Sequence, residues 1–165
     1  MQHHAFQDLI VEVFRLNGAL ISSGDAMVRD LGLSSARWQV LGAIMLSADP
    51  LTVAGIARDM GLTRQGVQRT VNDLIRAGLV RLDANPAHRR ARLVVATRAG
   101  QRAYAQAMER NATRLDAIAP DFDPDDLAAA LRTLCRLRRV MEAQATPPPD
   151  DTPRRTPNPT DRSLS

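Results

Sequence analysis

The stretch TVAGIARDMGLTRQGVQRTVNDLIRAGLVRL, residues 52–82, decides the fold of this chain. Its apolar residues repeat at the spacing of two short α-helices. They are Val53, Ile56, Ala57 and Met60 in the first helix and Val67, Val71, Leu74 and Ile75 in the second. Thr52 and Thr63 stand where helix caps are expected, and Gly61 allows a tight turn between the helices. This pattern predicts a helix-turn-helix, a motif that places its second helix in the major groove of DNA.

The outward side of the second helix carries side chains suited to reading base edges. Arginine forms paired hydrogen bonds with guanine, and asparagine or glutamine does so with adenine. We therefore predict a DNA-reading face formed by Thr63, Arg64, Gln65, Gln68, Arg69 and Asn72. The alternative is an ordinary solvent-facing polar stripe. Such stripes usually contain Glu and Lys, and neither occurs between residues 63 and 72.

After Gly78 the apolar spacing changes from helical to alternating, which predicts two short strands at residues 79–82 and 92–96. The loop between them would be the wing of a winged helix, and its tip is basic. Basic side chains there suit the adjacent minor groove or its phosphates. The predicted wing contacts are His88, Arg89, Arg90 and Arg92. For Arg90 and Arg92, the alternative is an ion pair that braces the hairpin.

Positive charge is concentrated around these elements. Residues 58–102 contain ten Arg and three acidic residues, a net charge of +7, so the rest of the +4 chain carries −3. This is the electrostatic pattern of a protein that binds a phosphate backbone, although a solvated charged face would share it. With 44% hydrophobic but only 3% aromatic residues, the composition favours packed helices over an all-β fold.

Longer amphipathic helices flank this region. The spacing predicts a first helix from Phe6 to about residue 29, a second after a cap at Ser34, a fifth from Thr97 to about Ile118, and a last helix that begins at Asp123. The predicted fold class is mainly α with a small β-hairpin wing, a winged helix-turn-helix flanked by N- and C-terminal dimerisation helices.

Four segments follow from these boundaries. Residues 1–33 would form an N-terminal dimerisation helix, residues 34–100 the DNA-binding lobe, and residues 101–145 the C-terminal dimerisation helices. Residues 146–165 are rich in proline and nearly free of apolar side chains, so we expect a disordered tail.

Apolar seams on the first and last helices predict a dimer interface. In the last helix, the apolar residues at 127, 130, 134, 137 and 141 step alternately by three and four residues, as in a short heptad pattern. The predicted interface residues are Phe6, Leu9, Ile10, Val13, Leu127, Leu131, Leu134, Leu137 and Met141. Symmetric pairing of two chains would bury both seams. The alternative is that both seams fold into one monomeric core.

The chain lacks the residue patterns of several other protein classes. Its histidines, His3, His4 and His88, are not spaced with carboxylates or with Cys135 as a metal site or catalytic triad requires, and it has no glycine-rich phosphate loop. We therefore expect no enzyme activity, metal or cofactor. For Cys135 we expect a structural role, with oxidant sensing as the alternative. Short apolar stretches and the lack of a signal peptide in residues 1–10 predict a cytoplasmic protein.

Together these features resemble the multiple-antibiotic-resistance regulator (MarR) family over about residues 6–143. The matching stretches are SARWQVL at 35–41, residues 53–62 and 63–79, NPAHRR at 85–90 and ATRAG at 96–100. The resemblance implies a homodimer on a pseudo-palindromic operator, usually acting as a repressor and often released by a small aromatic or phenolic ligand. In the family, the helix corresponding to that of Trp38 borders the ligand cleft, although a single Trp is more often part of a core.

One position departs from the family's Asp-x-Arg wing motif. His88 stands two residues before Arg90, where an acid is usual. Without that acid, the wing tip is expected to be looser, or His88 itself to approach a phosphate.

The predicted partners are double-stranded DNA, a second copy of the chain and a small-molecule effector. Two other functions remain open from the residues alone. One is a winged helix used as a protein-interaction module, which would not need an Arg/Gln/Asn face. The other is an architectural DNA binder that is indifferent to sequence.

Overall fold

The structure is a computed structural model that describes residues 2–145. Its helices are α1 (Gln2–Val28), α2 (Ser35–Leu46), α3 (Val53–Met60), α4 (Arg64–Arg76), α5 (Arg98–Ile118) and α6 (Pro124–Ala145). Its strands are β1 (Leu51–Thr52), β2 (Val80–Asp83) and β3 (Leu93–Ala96), and short 3-10 turns cover Arg29–Leu31 and Ala119–Asp121. The predicted mainly α fold with a small β wing is confirmed. The tail predicted at residues 146–165 lies outside the described residues.

The chain divides into two compact units, Met1–Ile118 and Ala119–Ser165. The first holds α1 to α5 and the sheet. The described part of the second holds one 3-10 turn and α6. No helix within residues 2–145 is both long and apolar enough to cross a membrane.

Short side-chain caps start the helices where the sequence predicts them. The hydroxyls of Thr52, Thr63 and Thr97 each accept a hydrogen bond from the backbone N–H three residues later, at 3.1 Å in every case. Ser34 caps α2 in the same way. Asp123 caps α6 by accepting from the backbone N–H groups of the two acidic residues in its first turn. Each cap satisfies a donor that the helix itself leaves unpaired.

Three boundaries differ from the sequence prediction. Helix α1 begins at Gln2 and not at Phe6, because the polar residues before Phe6 extend the helix without adding to its apolar spacing. The two wing strands begin at Val80 and Leu93, one residue later than predicted. The sheet also contains a third strand, β1, which the sequence analysis missed.

Strand β1 gives the sheet its order, β1-β3-β2, with antiparallel pairing throughout. Leu51 lies opposite Val94, and Thr52 lies opposite Leu93. Two residues are too few to show an alternating pattern, so β1 depends entirely on its distant partner. The sheet therefore joins the start of α3 to the root of the wing.

The core of the first unit holds α4 by one face. Val67, Val71 and Leu74 of α4 are at most 1% exposed and belong to the same buried cluster as Ile56 of α3 and Leu41 of α2. Gly61, with φ of 64°, supplies the left-handed turn between α3 and α4. With its inner side fixed in this way, α4 presents its opposite side to solvent.

Helix α5 packs closely at Gly100 against the residue that precedes β2. A Cβ atom there would lie 2.0 Å from the carbonyl oxygen of Leu79, so only glycine permits this approach. The Thr97 hydroxyl also donates to the Gly78 carbonyl oxygen at 2.7 Å. These contacts fix α5 at the point where the wing returns to the body of the unit.

Polar contacts fix the C-terminal end of α1 within the first unit. The backbone N–H of Ser35 donates to Asp25 at 2.5 Å, and this bond is the main reason that the pKa of Asp25 lies below its usual value. Arg110 of α5 donates to both carboxylate oxygens of Asp30, at 2.5 and 2.8 Å, and lowers the pKa of that group. Arg110 also donates to the Met27 carbonyl oxygen at 2.9 Å. Helix α1 is thereby joined to both α2 and α5.

Candidate nucleic-acid interface

The predicted reading face lies on the solvent side of α4. Every one of its predicted members is exposed: Thr63, Arg64, Gln65, Gln68, Arg69 and Asn72. The Gln68 side-chain amide donates to the Asn72 side-chain oxygen at 2.9 Å. This bond orients both amides and leaves the Gln68 carbonyl and the Asn72 amino group available for a base edge.

Arginines that do not belong to this face neutralise the acids of the basic segment. Asp59 pairs with Arg58 at 3.8 Å, and Asp83 pairs with Arg81 at 2.8 Å. Asp73 pairs with Arg76 and, at 3.5 Å, with Arg37 of α2. All three acids of residues 58–102 therefore already have a cationic partner.

The arginines predicted to contact DNA, by contrast, form no ion pair with an acid in the described part of the chain. Within the described residues, Arg64 and Arg69 of α4 and Arg89 and Arg90 of the wing make no ion pair and no side-chain hydrogen bond. All four are exposed. Their positive charge is thus uncompensated locally, which favours an anionic partner.

Two consecutive turns build the wing tip. The Asn85 side chain accepts from the backbone N–H of Ala87 at 3.0 Å, and the Asn85 carbonyl oxygen accepts from that of His88 at 3.2 Å. The His88 carbonyl oxygen then accepts from the backbone N–H of Ala91 at 3.0 Å. These bonds give the loop a defined shape and leave His88, Arg89 and Arg90 exposed at its end.

Arg92 differs from the other wing residues predicted to contact DNA. Its guanidinium donates to the carbonyl oxygen of Leu82 at 2.6 Å, across the hairpin. This is a bracing contact, but it is made with a backbone carbonyl and not with an acid. The structure therefore places Arg92 at the root of the wing.

A cleft of about 230 Å³ lies between the start of α4 and the wing. Arg64 and Gln68 line it from α4, and Arg90 and Arg92 line it from the wing. Thr52, at the end of β1, also lines it. The fold thus brings two of the predicted reading residues and two of the predicted wing residues to one cleft. Sequence reasoning missed Thr52 as a lining residue, because its position depends on the pairing of β1 with β3.

The predicted dimer residues lie on helices that retain much exposed apolar surface. On α1, Phe6 is 47% exposed, and Leu9, Ile10 and Val13 are half-buried. On α6, Leu131 is 64% exposed, and Leu137 is half-buried. The other predicted α6 residues, which are also exposed, are Leu127, Leu134 and Met141.

The exposed apolar surface extends beyond the predicted residues. Phe14 of α1 is 72% exposed and was not among them. Further exposed apolar side chains on α1 and on the second half of α5 are Val11, Leu16, Leu20, Ile21, Met108, Leu115 and Ile118. Between α2 and β3, by contrast, only Leu46 and Leu62 are large, apolar and exposed.

The remaining candidate residues show no assembled site. Trp38 is half-buried against the core and does not line the cleft between α4 and the wing. Cys135 is a half-buried free thiol. Within the residues that the structure describes, no group of His, Cys, Asp and Glu side chains is arranged to hold a metal ion.

Comparisons with known sequences agree with this geometry. A sequence model of the MarR family matches residues 31–91, which run from the 3-10 turn after α1 into the wing. The uncharacterized protein Rv2011c of Mycobacterium tuberculosis is 39% identical over 136 residues, covering 82% of this chain and 94% of that protein. The transcriptional activatory protein BadR of Rhodopseudomonas palustris is 25% identical over 137 residues, covering 81% of this chain and 78% of that protein.

Solved structures share the fold. The MarR family transcription regulator SP03579 superposes with a TM-score of 0.75 at 19% identity, covering 88% of this chain and 97% of that one. CouR from Rhodococcus jostii RHA1, bound to p-coumaroyl-CoA, superposes with a TM-score of 0.66 at 25% identity, covering 78% of this chain and 90% of that one. On the sequence match and the shared fold, the chain belongs to the MarR family of winged helix-turn-helix transcriptional regulators.

Proposed function

We propose that this regulator binds a pseudo-palindromic operator as a homodimer, reading bases through α4 and contacting the flanking DNA through the wing. The observation that carries the proposal is the division among its arginines. The acids of the basic segment are paired with Arg37, Arg58, Arg76 and Arg81, whereas the arginines of the reading face and wing tip make no ion pair within the described residues. A surface arranged in this way is suited to phosphates and guanine edges.

Two copies of α4 are needed to read the two halves of a palindrome, since half-sites lie one helical turn apart. The exposed apolar side chains of α1 and α6 support pairing of two chains, because an apolar face left in water favours burial against a partner. In this proposal, residues 34–100 form the DNA-binding lobe, and residues 1–33 and 101–145 form the dimerisation helices.

We further propose that the regulator represses transcription and that a small aromatic or phenolic ligand releases it from DNA, with Trp38 bordering the ligand cleft. CouR, whose structure contains p-coumaroyl-CoA, supports a ligand of this chemical class. The activatory role of BadR makes activation the competing mode of control. Addition of p-coumaric acid to a complex with DNA from immediately upstream of the gene should displace the DNA. Unchanged binding at saturating compound would count against release by this class of ligand.

The proposal assigns base reading to α4 and phosphate contact to the wing, and single substitutions test the two roles separately. Asn72→Ala should lower affinity for the upstream DNA about tenfold, because one paired base contact is worth roughly 1–3 kcal/mol, and should leave affinity for random DNA unchanged. Arg89→Ala should weaken binding to both DNAs by the same factor and reduce the salt slope by about one. Fluorescence anisotropy with both DNAs at several salt concentrations measures these effects.

Gln106→Ala is the matched control, because it removes an exposed side-chain amide from α5. It should change neither affinity nor salt dependence. Equal losses on both DNAs for Asn72→Ala and Arg89→Ala would contradict the assignment of base reading to α4.

A further inference from the structure

One ion pair links the reading helix to α2. Arg37, in the first turn of α2, places one guanidinium nitrogen 3.5 Å from the Asp73 carboxylate of α4. About a third of each side chain is exposed, at 35% for Arg37 and 31% for Asp73. The other partner of Asp73 is Arg76, which belongs to α4 itself. Of these two arginines, only Arg37 connects the carboxylate to another element.

The Arg37 guanidinium also contacts the backbone of the linker before α2. Its second terminal nitrogen donates to the carbonyl oxygen of Gly32 at 3.2 Å, in the linker before α2. That linker follows the 3-10 turn containing Asp30, to which Arg110 of α5 is bonded. A series of polar contacts therefore runs from α5, through the linker and Arg37, to Asp73 on the reading helix.

This contact adds a restraint on α4 to those that the core supplies. The apolar side chains Val67, Val71 and Leu74 fix which side of α4 is buried, but apolar contacts have little directional preference. The ion pair acts between two defined points, the Arg37 guanidinium in the first turn of α2 and the Asp73 carboxylate on one side of α4. Asp73 directly follows Asn72, so any rotation of α4 about its axis moves both residues together. The pair with Arg37 is thus placed to set the direction in which the reading face points.

We propose that Arg37 is a positioning residue for base reading, which acts through Asp73 to hold α4 in the orientation that presents Arg69 and Asn72 to the major groove. This inference rests on the proposed DNA-reading function. It assigns Arg37 no contact with DNA.

A double-mutant cycle tests this role in the full-length chain. The measured quantity is the ratio of upstream-DNA affinity to random-DNA affinity. It should fall by about fivefold in each of three variants: Arg37→Met, Asp73→Asn and the double variant. A change of this size is within the range seen for residues that act through a neighbour. The double variant should be no worse than either single one, because both substitutions remove the same contact. The salt slope should stay unchanged. Arg76→Met, which breaks the pair within α4, is the matched control and should leave the ratio unchanged.

The affinity ratio separates positioning from loss of folded protein, because an unfolded fraction lowers binding to both DNAs equally. A ratio unchanged in Arg37→Met would overturn the inference. Equal weakening of Arg37→Met on both DNAs, with a salt slope reduced by about one, would indicate a direct phosphate contact and would also overturn it. Additive effects of the two substitutions in the double variant would overturn it as well. A wild-type chain with no preference for upstream DNA would contradict the proposed function itself, whereas a wild-type preference that survives Arg37→Met contradicts this inference alone.

Discussion

Replacing Arg64 and Arg69 together by glutamate is expected to lower affinity for upstream DNA by about a hundredfold or more. Each arginine lies exposed on α4 without an ion-pair partner among the described residues. Each substitution removes a base or phosphate contact worth roughly 1–3 kcal/mol, where 1.4 kcal/mol is a factor of ten, and adds a negative charge facing the phosphates. Fluorescence anisotropy measures the loss, and circular dichroism checks that the variant is folded.

A matched control separates this local effect from the change in net charge. Arg154→Glu with Arg155→Glu changes the net charge by the same amount at positions outside the described residues. This control should retain most of the affinity for upstream DNA. Unchanged binding by the Arg64/Arg69 variant would contradict DNA reading by α4 and would favour the alternative of a protein-interaction module.

Leu134→Arg is expected to convert the proposed dimer to a monomer and to lower operator affinity by about a hundredfold or more. Leu134 lies on the exposed apolar side of α6 together with Leu131 and Met141. A charge there would have to be buried between two chains, which is costly without a partner. A monomer engages only one half-site and loses the gain from linked binding, which is typically 10²–10⁴. Sedimentation velocity measures the association state, and anisotropy measures the affinity.

Ala129→Arg provides the control on the same helix. At 100° per residue, Ala129 lies on the side of α6 opposite Leu134. Arg132 and Arg136 lie on that same side as Ala129. The added charge there should leave both the dimer and DNA binding intact. If sedimentation velocity shows that Leu134→Arg is still a dimer, the apolar residues of α6 do not form the dimer interface.

Features that depend on neighbours in sequence were predictable. The caps at Thr52 and Thr63 and the turn at Gly61 are decided by hydrogen bonds within three residues and by one backbone conformation, so residue types alone revealed them. The inner and outer sides of α4 followed from the spacing of Val67 and Val71, which the structure shows to be buried.

Features that depend on distant partners were not predictable. Strand β1 exists because Leu51 meets Val94, and nothing within residues 50–53 indicates a strand. Sequence alone could not distinguish the arginines that neutralise acids from those that remain unpaired, because the ion pair between Arg37 and Asp73 forms only after α2 packs on α4. The bond from Arg92 to the Leu82 carbonyl likewise requires the closed hairpin.

The most direct measurement titrates the wild-type protein against two labelled duplexes of equal length at two salt concentrations. One duplex comes from immediately upstream of the gene, and the other has the same composition in scrambled order. A sequence-specific regulator should prefer the upstream duplex by about a thousandfold or more, with both affinities falling as salt rises. Equal affinity for the two duplexes at both salt concentrations, or no binding to either, would contradict sequence-specific reading of DNA by this protein.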